Sequence, residues 1–159
     1  MLHEELASKL SGRVTVVGVG DVRRGDDCAG PLVIQLLAEA GIERVIDSGA
    51  SPELDTWRLR EPAPDTVLFV DAVDFGGAPG DAALLSPSDL RASGFDTHRA
   101  PLRLTMDYLE RELQCKCFVL AIQPKDVRYG APMSDEVKRS AEYLAGVLRS
   151  IIGETSERA

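Results

Sequence analysis

Val14-Thr-Val-Val-Gly-Val-Gly-Asp-Val-Arg-Arg-Gly-Asp-Asp27 begins as a β-branched run to Val19. It turns through a polar, glycine-bearing loop at 20–26 and leads into a helical pattern from Asp27 to Ala40 that Gly41 closes. This is a strand, a loop and a helix in succession. Arg44–Asp47 reads as a second strand, Ser51–Arg60 as a helix, and Thr66–Asp71 as a third, nearly all-apolar strand. Continuous apolar strands suit a parallel sheet covered on both faces.

Further along, the loop 72–80 is rich in Gly and Pro, Ala82–Leu85 is a short strand, and Pro87–Ala92 is a helical turn. The spacing of Leu102, Met106, Leu109 and Leu113 predicts a helix, Phe118–Ile122 the last buried strand, and 134–152 the longest helix. Ser134 begins that helix with an imperfect cap, because Val137 stands where a capping box has Glu or Gln. At the other end of the chain, Leu2, Leu6 and Leu10 give a short leading helix. Strands alternating with helices predict an α/β fold. The expected architecture is three-layered: a mostly parallel, twisted sheet of about five strands with helices on both faces. We expect one domain over 1–159, with a frayed polar tail at 153–159.

The chain has 159 residues, 44% of them hydrophobic and 28% charged, which is ordinary globular usage. Its 26 acidic and 18 basic side chains give a net charge of −8, which disfavours nucleic acid as a partner. Three cysteines, Cys28 and the pair Cys115-x-Cys117, make no disulfide framework and point to a reducing compartment. No apolar run approaches the ~20 residues that span a bilayer, and no leader pattern precedes Val14. The expectation is a cytoplasmic protein without membrane insertion, working as a monomer.

Open α/β sheets bind ligands beyond the carboxyl ends of their strands. In this chain the loops there begin Gly20–Asp27, Asp47–Ser51 and Asp71–Gly80, so acids gather at that edge. Gly18-x-Gly20 invites a dinucleotide-binding reading, with Asp47 in the place of a ribose-binding acid. Its third glycine falls on Arg23, however, and Asp21, Asp26 and Asp27 put negative charge where a pyrophosphate meets backbone amides. A nucleotide-binding regulatory module is therefore the alternative reading.

Each remaining candidate has an ordinary structural role to weigh against a chemical one. Of Asp26 and Asp27, one acid suffices to cap the helix that follows, which leaves the second spare. Asp71 could form an Asx turn, yet a charge leaving a buried strand must be paired, hydrogen-bonded or metal-bound. His98 could be an ordinary surface histidine. Taken together, Asp27, Asp71 and His98 offer two carboxylates and an imidazole, a set that suits a divalent ion such as zinc or nickel with positions left open. No serine-hydrolase elbow or H-E-x-x-H motif is present.

Several segments together resemble the endopeptidases that mature nickel-iron hydrogenases. They are Gly18–Asp27, Asp47–Glu53, Val70–Gly76, Thr97–Leu102, Ile122–Pro124 and Pro132–Ser134. The order and spacing of these segments carry the likeness, which is nearest to the hydrogenase 3-type branch. Asp21 and Cys28 are departures, standing where the family usually has Asn and a small residue. The resemblance implies an endopeptidase that removes the C-terminal extension of a hydrogenase large-subunit precursor after nickel insertion. It places Asp27, Asp71 and His98 on the family's metal-contacting and catalytic positions. Nickel is then supplied by the substrate rather than permanently bound. Asp47, Ser48 and Gly49 become candidates for substrate recognition. A non-catalytic nickel chaperone using the same trio is a further alternative.

Overall fold

The computed structural model describes residues 1–93 and 100–158. In chain order its elements are α1 (Leu2–Lys9), β1 (Val14–Gly18), α2 (Ala29–Glu39), β2 (Val45–Asp47) and β3 (Thr66–Ala72). They continue with β4 (Ala82–Leu85), α3 (Pro87–Ser93), α4 (Ala100–Leu113), β5 (Lys116–Ile122) and α5 (Asp135–Arg158). The strands form one sheet in the order β2-β1-β3-β5-β4. β1 pairs in parallel with β2 and β3, β3 pairs in parallel with β5, and β4 runs antiparallel at the edge. The sheet expected from the sequence is the one observed.

Strand alternation divides the apolar residues between two layers. Leu68 and Val70 of β3 pack with Leu6, Val33, Leu37, Leu144 and Leu148, contributed by α1, α2 and α5. Val67 and Phe69 pack on the opposite face with Leu102, Met106 and Leu109 of α4. Each buried side chain of this size contributes about 1.5–3 kcal/mol, so both faces need their helices. α4 ends at Leu113, just before β5 begins at Lys116. Its 14 residues span about 21 Å, so its first turn stands toward the carboxyl edge of the sheet.

Three segments differ from the sequence reading. The helix expected over Ser51–Arg60 is instead two 3-10 turns, Pro52–Leu54 and Thr56–Leu59. Leu54 and Trp57 are 72% and 69% exposed there, so no apolar stripe is buried, and a short helix without tertiary packing is marginal. α2 begins at Ala29 rather than Asp27, after a 3-10 turn over Gly25–Cys28. α5 continues through Gly153 to Arg158, past the end expected at Ile152. Among the described residues no helix is long and apolar enough to cross a membrane.

Candidate functional site

The strand order fixes where a ligand can enter. From β1 the chain crosses to β2 on one side, while β3 lies on the other, so the crevice between β1 and β3 is the switch point of the sheet. Val19 N–H closes the top of this crevice by donating to Val70 O at 2.9 Å. Asp27 arrives on the 3-10 turn after β1, and that turn packs against the end of β3 that carries Asp71. Both carboxylates are buried, Asp71 completely. Asp71 shares the strand parity of Val67 and Phe69, the face that α4 covers. His98 precedes α4 by two residues in the sequence and lies outside the described residues.

Asp27 is oriented by its own loop: its Oδ2 accepts Asp21 N–H at 2.7 Å. The Asp21 carboxylate bonds Arg23 Nε at 3.0 Å, which lowers its pKa to about 2 and matches the extra negative charge that the sequence set beside the site. Arg23 in turn lies over the Tyr129 ring at 5.9 Å, and its carbonyl accepts Gly130 N–H. The loop after β1 is thereby clasped to the loop after β5.

Asp26 has a different role from the helix cap that the sequence suggested. α2 has Cys28 as its N-cap position and no side-chain cap bond. Asp26 is fully buried. Its oxygens accept Lys125 N–H at 2.8 Å, Asp126 N–H at 3.0 Å and Ser134 N–H at 2.6 Å, together with the Ser134 hydroxyl. Asp26 therefore ties the first loop to the segment that leads into α5. Sequence reasoning also missed Gln123, another buried residue. Its Oε1 accepts the Phe75 and Gly77 amides at 2.9 and 3.1 Å, and its Nε2 donates to Asp74 Oδ1 at 3.0 Å. This bond, with one from Gly76 N–H, holds the Asp74 pKa below the usual carboxylate range. Gln123 shapes the loop that follows Asp71. Its sequence signals were a polar residue directly after the last buried strand and its place in the Ile122–Pro124 segment, to which no role was attached.

The loop Asp47–Gly49 is brought beside the first. Gly20 N–H donates to Gly49 O at 2.8 Å, Ser48 N–H donates to Gly18 O at 2.9 Å, and Asp47 Oδ1 accepts Gly49 N–H at 3.0 Å in an Asx turn. Asp47 is exposed and Ser48 is buried. Burial first, then the charges of Asp47 and Asp27, push the Cys28 thiol up, so it stays protonated at neutral pH and is a poor nucleophile. Cys115 and Cys117 are free thiols in the α4 layer, their sulfurs 4.0 Å apart.

The glycines of the first loop serve its own packing rather than a pyrophosphate. A Cβ at Gly18 would press on Ile34 and the Gly30 carbonyl, and one at Gly20 would overlap the Asp27 carbonyl oxygen. The Asp21 amide, which an anion would need, is held by Asp27. Gly20→Ala is expected to displace the turn that carries Asp27 and to cost about 1–3 kcal/mol. Thermal unfolding of the variant checks this, and an unchanged midpoint would contradict the close approach.

Among the described residues no group of three His, Cys, Asp or Glu comes together to hold a metal. The described portion supplies two carboxylates at one edge, an incomplete set for an ion of its own.

The sequence model of one family, described as hydrogenase maturation protease, matches residues 32–150. The hydrogenase 3 maturation protease of Escherichia coli K12 is 38% identical over 129 residues, covering 79% of this chain and 82% of the relative. The crystal structure of a [NiFe] hydrogenase maturation protease, HycI from Thermococcus kodakarensis, superposes with a TM-score of 0.86 at 30% identity, over 94% of this chain and 99% of that one. The solution structure of the Escherichia coli endopeptidase HycI gives 0.79 at 34% identity, over 87% and 90%.

Proposed function

The chain belongs to the hydrogenase maturation protease family, and from that premise we propose that it removes the C-terminal extension of a nickel-iron hydrogenase large-subunit precursor, reading the nickel already inserted there. The observation that supports this most is the pair of buried carboxylates, Asp27 and Asp71, on either side of the β1/β3 crevice. With His98, two carboxylates and one imidazole form a donor set suited to a divalent transition ion and leave positions open. Such a set completes the coordination of an ion presented by the substrate.

Shared coordination positions the scissile peptide, and proximity of this kind is a large source of rate. Nickel held in this way can polarise the peptide carbonyl. Water adds to the carbonyl carbon, the C–N bond breaks, and the amine leaves with a proton. Asp47, Ser48 and Gly49, bonded to the loop beside Asp27, stand where they can choose among precursors. The proposal extends to a monomer acting in the cytoplasm. Three cysteines without a disulfide accord with a reducing compartment.

Mass spectrometry of the precursor decides between readings. Nickel-loaded precursor is expected to lose its C-terminal extension on incubation with this protein, while nickel-free precursor keeps its full mass. Equal cutting of both forms would remove nickel recognition from the account. A tight nickel complex of the protein alone, with no cutting at all, would favour the chaperone instead.

A further inference from the structure

Three hydrogen bonds close a circuit in the loop after β1. Asp21 O accepts Arg24 N–H at 3.0 Å, Arg24 O accepts Asp27 N–H at 3.0 Å, and Asp27 Oδ2 accepts Asp21 N–H at 2.7 Å. The last bond returns to the residue where the circuit began, so the place of the Asp27 carboxylate depends on how Asp21 is held. Arg23 holds it. Asp21 Oδ1 accepts Arg23 N–H at 2.9 Å and Nε–H at 3.0 Å, and Asp21 Oδ2 accepts from the outer guanidinium nitrogen Nη2 at 3.0 Å. This is a two-pronged fork that a lysine ammonium does not reproduce.

The fork has an electrostatic task. Asp21, Asp26 and Asp27 fall within seven residues of chain, and Asp47 and Asp71 stand at the carboxyl ends of the strands on either side of β1. The Asp21 amide donates to one carboxylate while its own side chain carries a second negative charge a few bonds away. Like charges this close disfavour one another, and an uncancelled Asp21 pushes Asp27 off the amide. Arg23 supplies the cancelling charge. Arg24 attracts Asp21 as well, but as the weakest of the influences on its carboxylate. The Arg23 and Asp21 side chains are 68% and 18% exposed, and ion pairs in water of this kind add little to stability. The backbone of the corner is secured separately, because Arg23 O accepts Gly130 N–H at 2.8 Å.

We propose that Arg23 is a positioning residue for the cleavage, acting through Asp21 to hold the Asp27 carboxylate in place for an incoming ion. The inference rests on the proposed function for the part that Asp27 plays. It is distinct from a docking role, in which an exposed guanidinium touches the precursor itself.

The test uses the intact chain and the nickel-loaded precursor. Arg23→Ala is expected to lower kcat about tenfold with KM changed by less than about twofold, because a misplaced group costs rate rather than binding. The unfolding midpoint is expected to stay within about 2 °C, since the bond to Gly130 belongs to the main chain. Adding Asp21→Asn to Arg23→Ala is expected to restore kcat to within about threefold of the unaltered chain. The side-chain amide oxygen still accepts the N–H of position 23, and the charge that needed cancelling is gone. A readout apart from cutting is the amide proton of position 21, whose short bond to a carboxylate sets it downfield. It is expected to move upfield in Arg23→Ala and to return in the double variant. An undiminished kcat in Arg23→Ala, a loss that Asp21→Asn does not rescue, or a loss confined to KM would overturn the inference. Nickel-dependent cutting at full kcat by Arg23→Ala, with the amide proton unmoved, would sink it and leave the proposed function standing. The expected shifts at position 21, with no cutting of the precursor by the unaltered chain, would keep the hold of Arg23 on Asp27 and sink the proposed function.

Discussion

In an Asp71→Asn variant, cleavage of the nickel-loaded precursor is expected to fall by about 10³-fold or more, while the folded state survives. The two halves of this expectation have one cause. Asp71 is completely buried at the end of β3, where holding a carboxylate away from water is costly. Replacing it by the isosteric amide keeps the side chain's shape and removes the charge that the ion needs, so the unfolding midpoint should move by no more than a few degrees. A residue placed there for stability would behave in the opposite way. Asp27→Ala and His98→Ala are expected to bring a similar loss of cleavage. Single-turnover assays with unfolding curves measure both quantities, and cleavage retained in all three variants would move the chemistry to another part of the molecule.

The layers were readable because the physics that fixes them is local. Val67–Val70 and Val119–Ile122 are apolar at consecutive positions, as strands buried on both faces are, and the spacing of Leu102, Met106 and Leu109 carries a helix stripe. Over Ser51–Arg60 the same reading failed, because Leu54 and Trp57 look like core residues in sequence and are exposed in the fold. The carboxylates of the candidate site were legible from their positions after strands. Their supports were not. Asp26 bonds backbone amides 99, 100 and 108 residues away, and Gln123 bonds amides 48 and 46 residues away. A backbone N–H carries no side-chain signature, so nothing in the sequence marks it as a partner. The pair Asp26–Asp27 accordingly read as one cap and one spare acid, whereas the first is a latch between distant loops and the second sits in the turn it holds.

The latch makes a quantitative claim that separates it from a cap. Loss of a helix-capping side chain costs about 1 kcal/mol. Asp26→Ala instead removes the acceptor for the Lys125, Asp126 and Ser134 amides and for the Ser134 hydroxyl, all converging on one fully buried side chain. Hydrogen bonds to a charged group contribute about 1.5–3 kcal/mol each and do not add fully. A total of about 3–5 kcal/mol is therefore expected, a large share of the 5–15 kcal/mol that typically holds a domain folded. At about 2–4 °C per kcal/mol for a chain of this size, the unfolding midpoint should fall by roughly 10 °C. Asp26→Asn keeps one acceptor oxygen but turns an amide NH₂ toward N–H donors, so it should fall by nearly as much. Calorimetry of the two variants measures this. A drop of only about 2 °C would return Asp26 to the modest role of a cap, and the clasp between the first loop and the start of α5 would have to be held by Arg23 and Tyr129 instead.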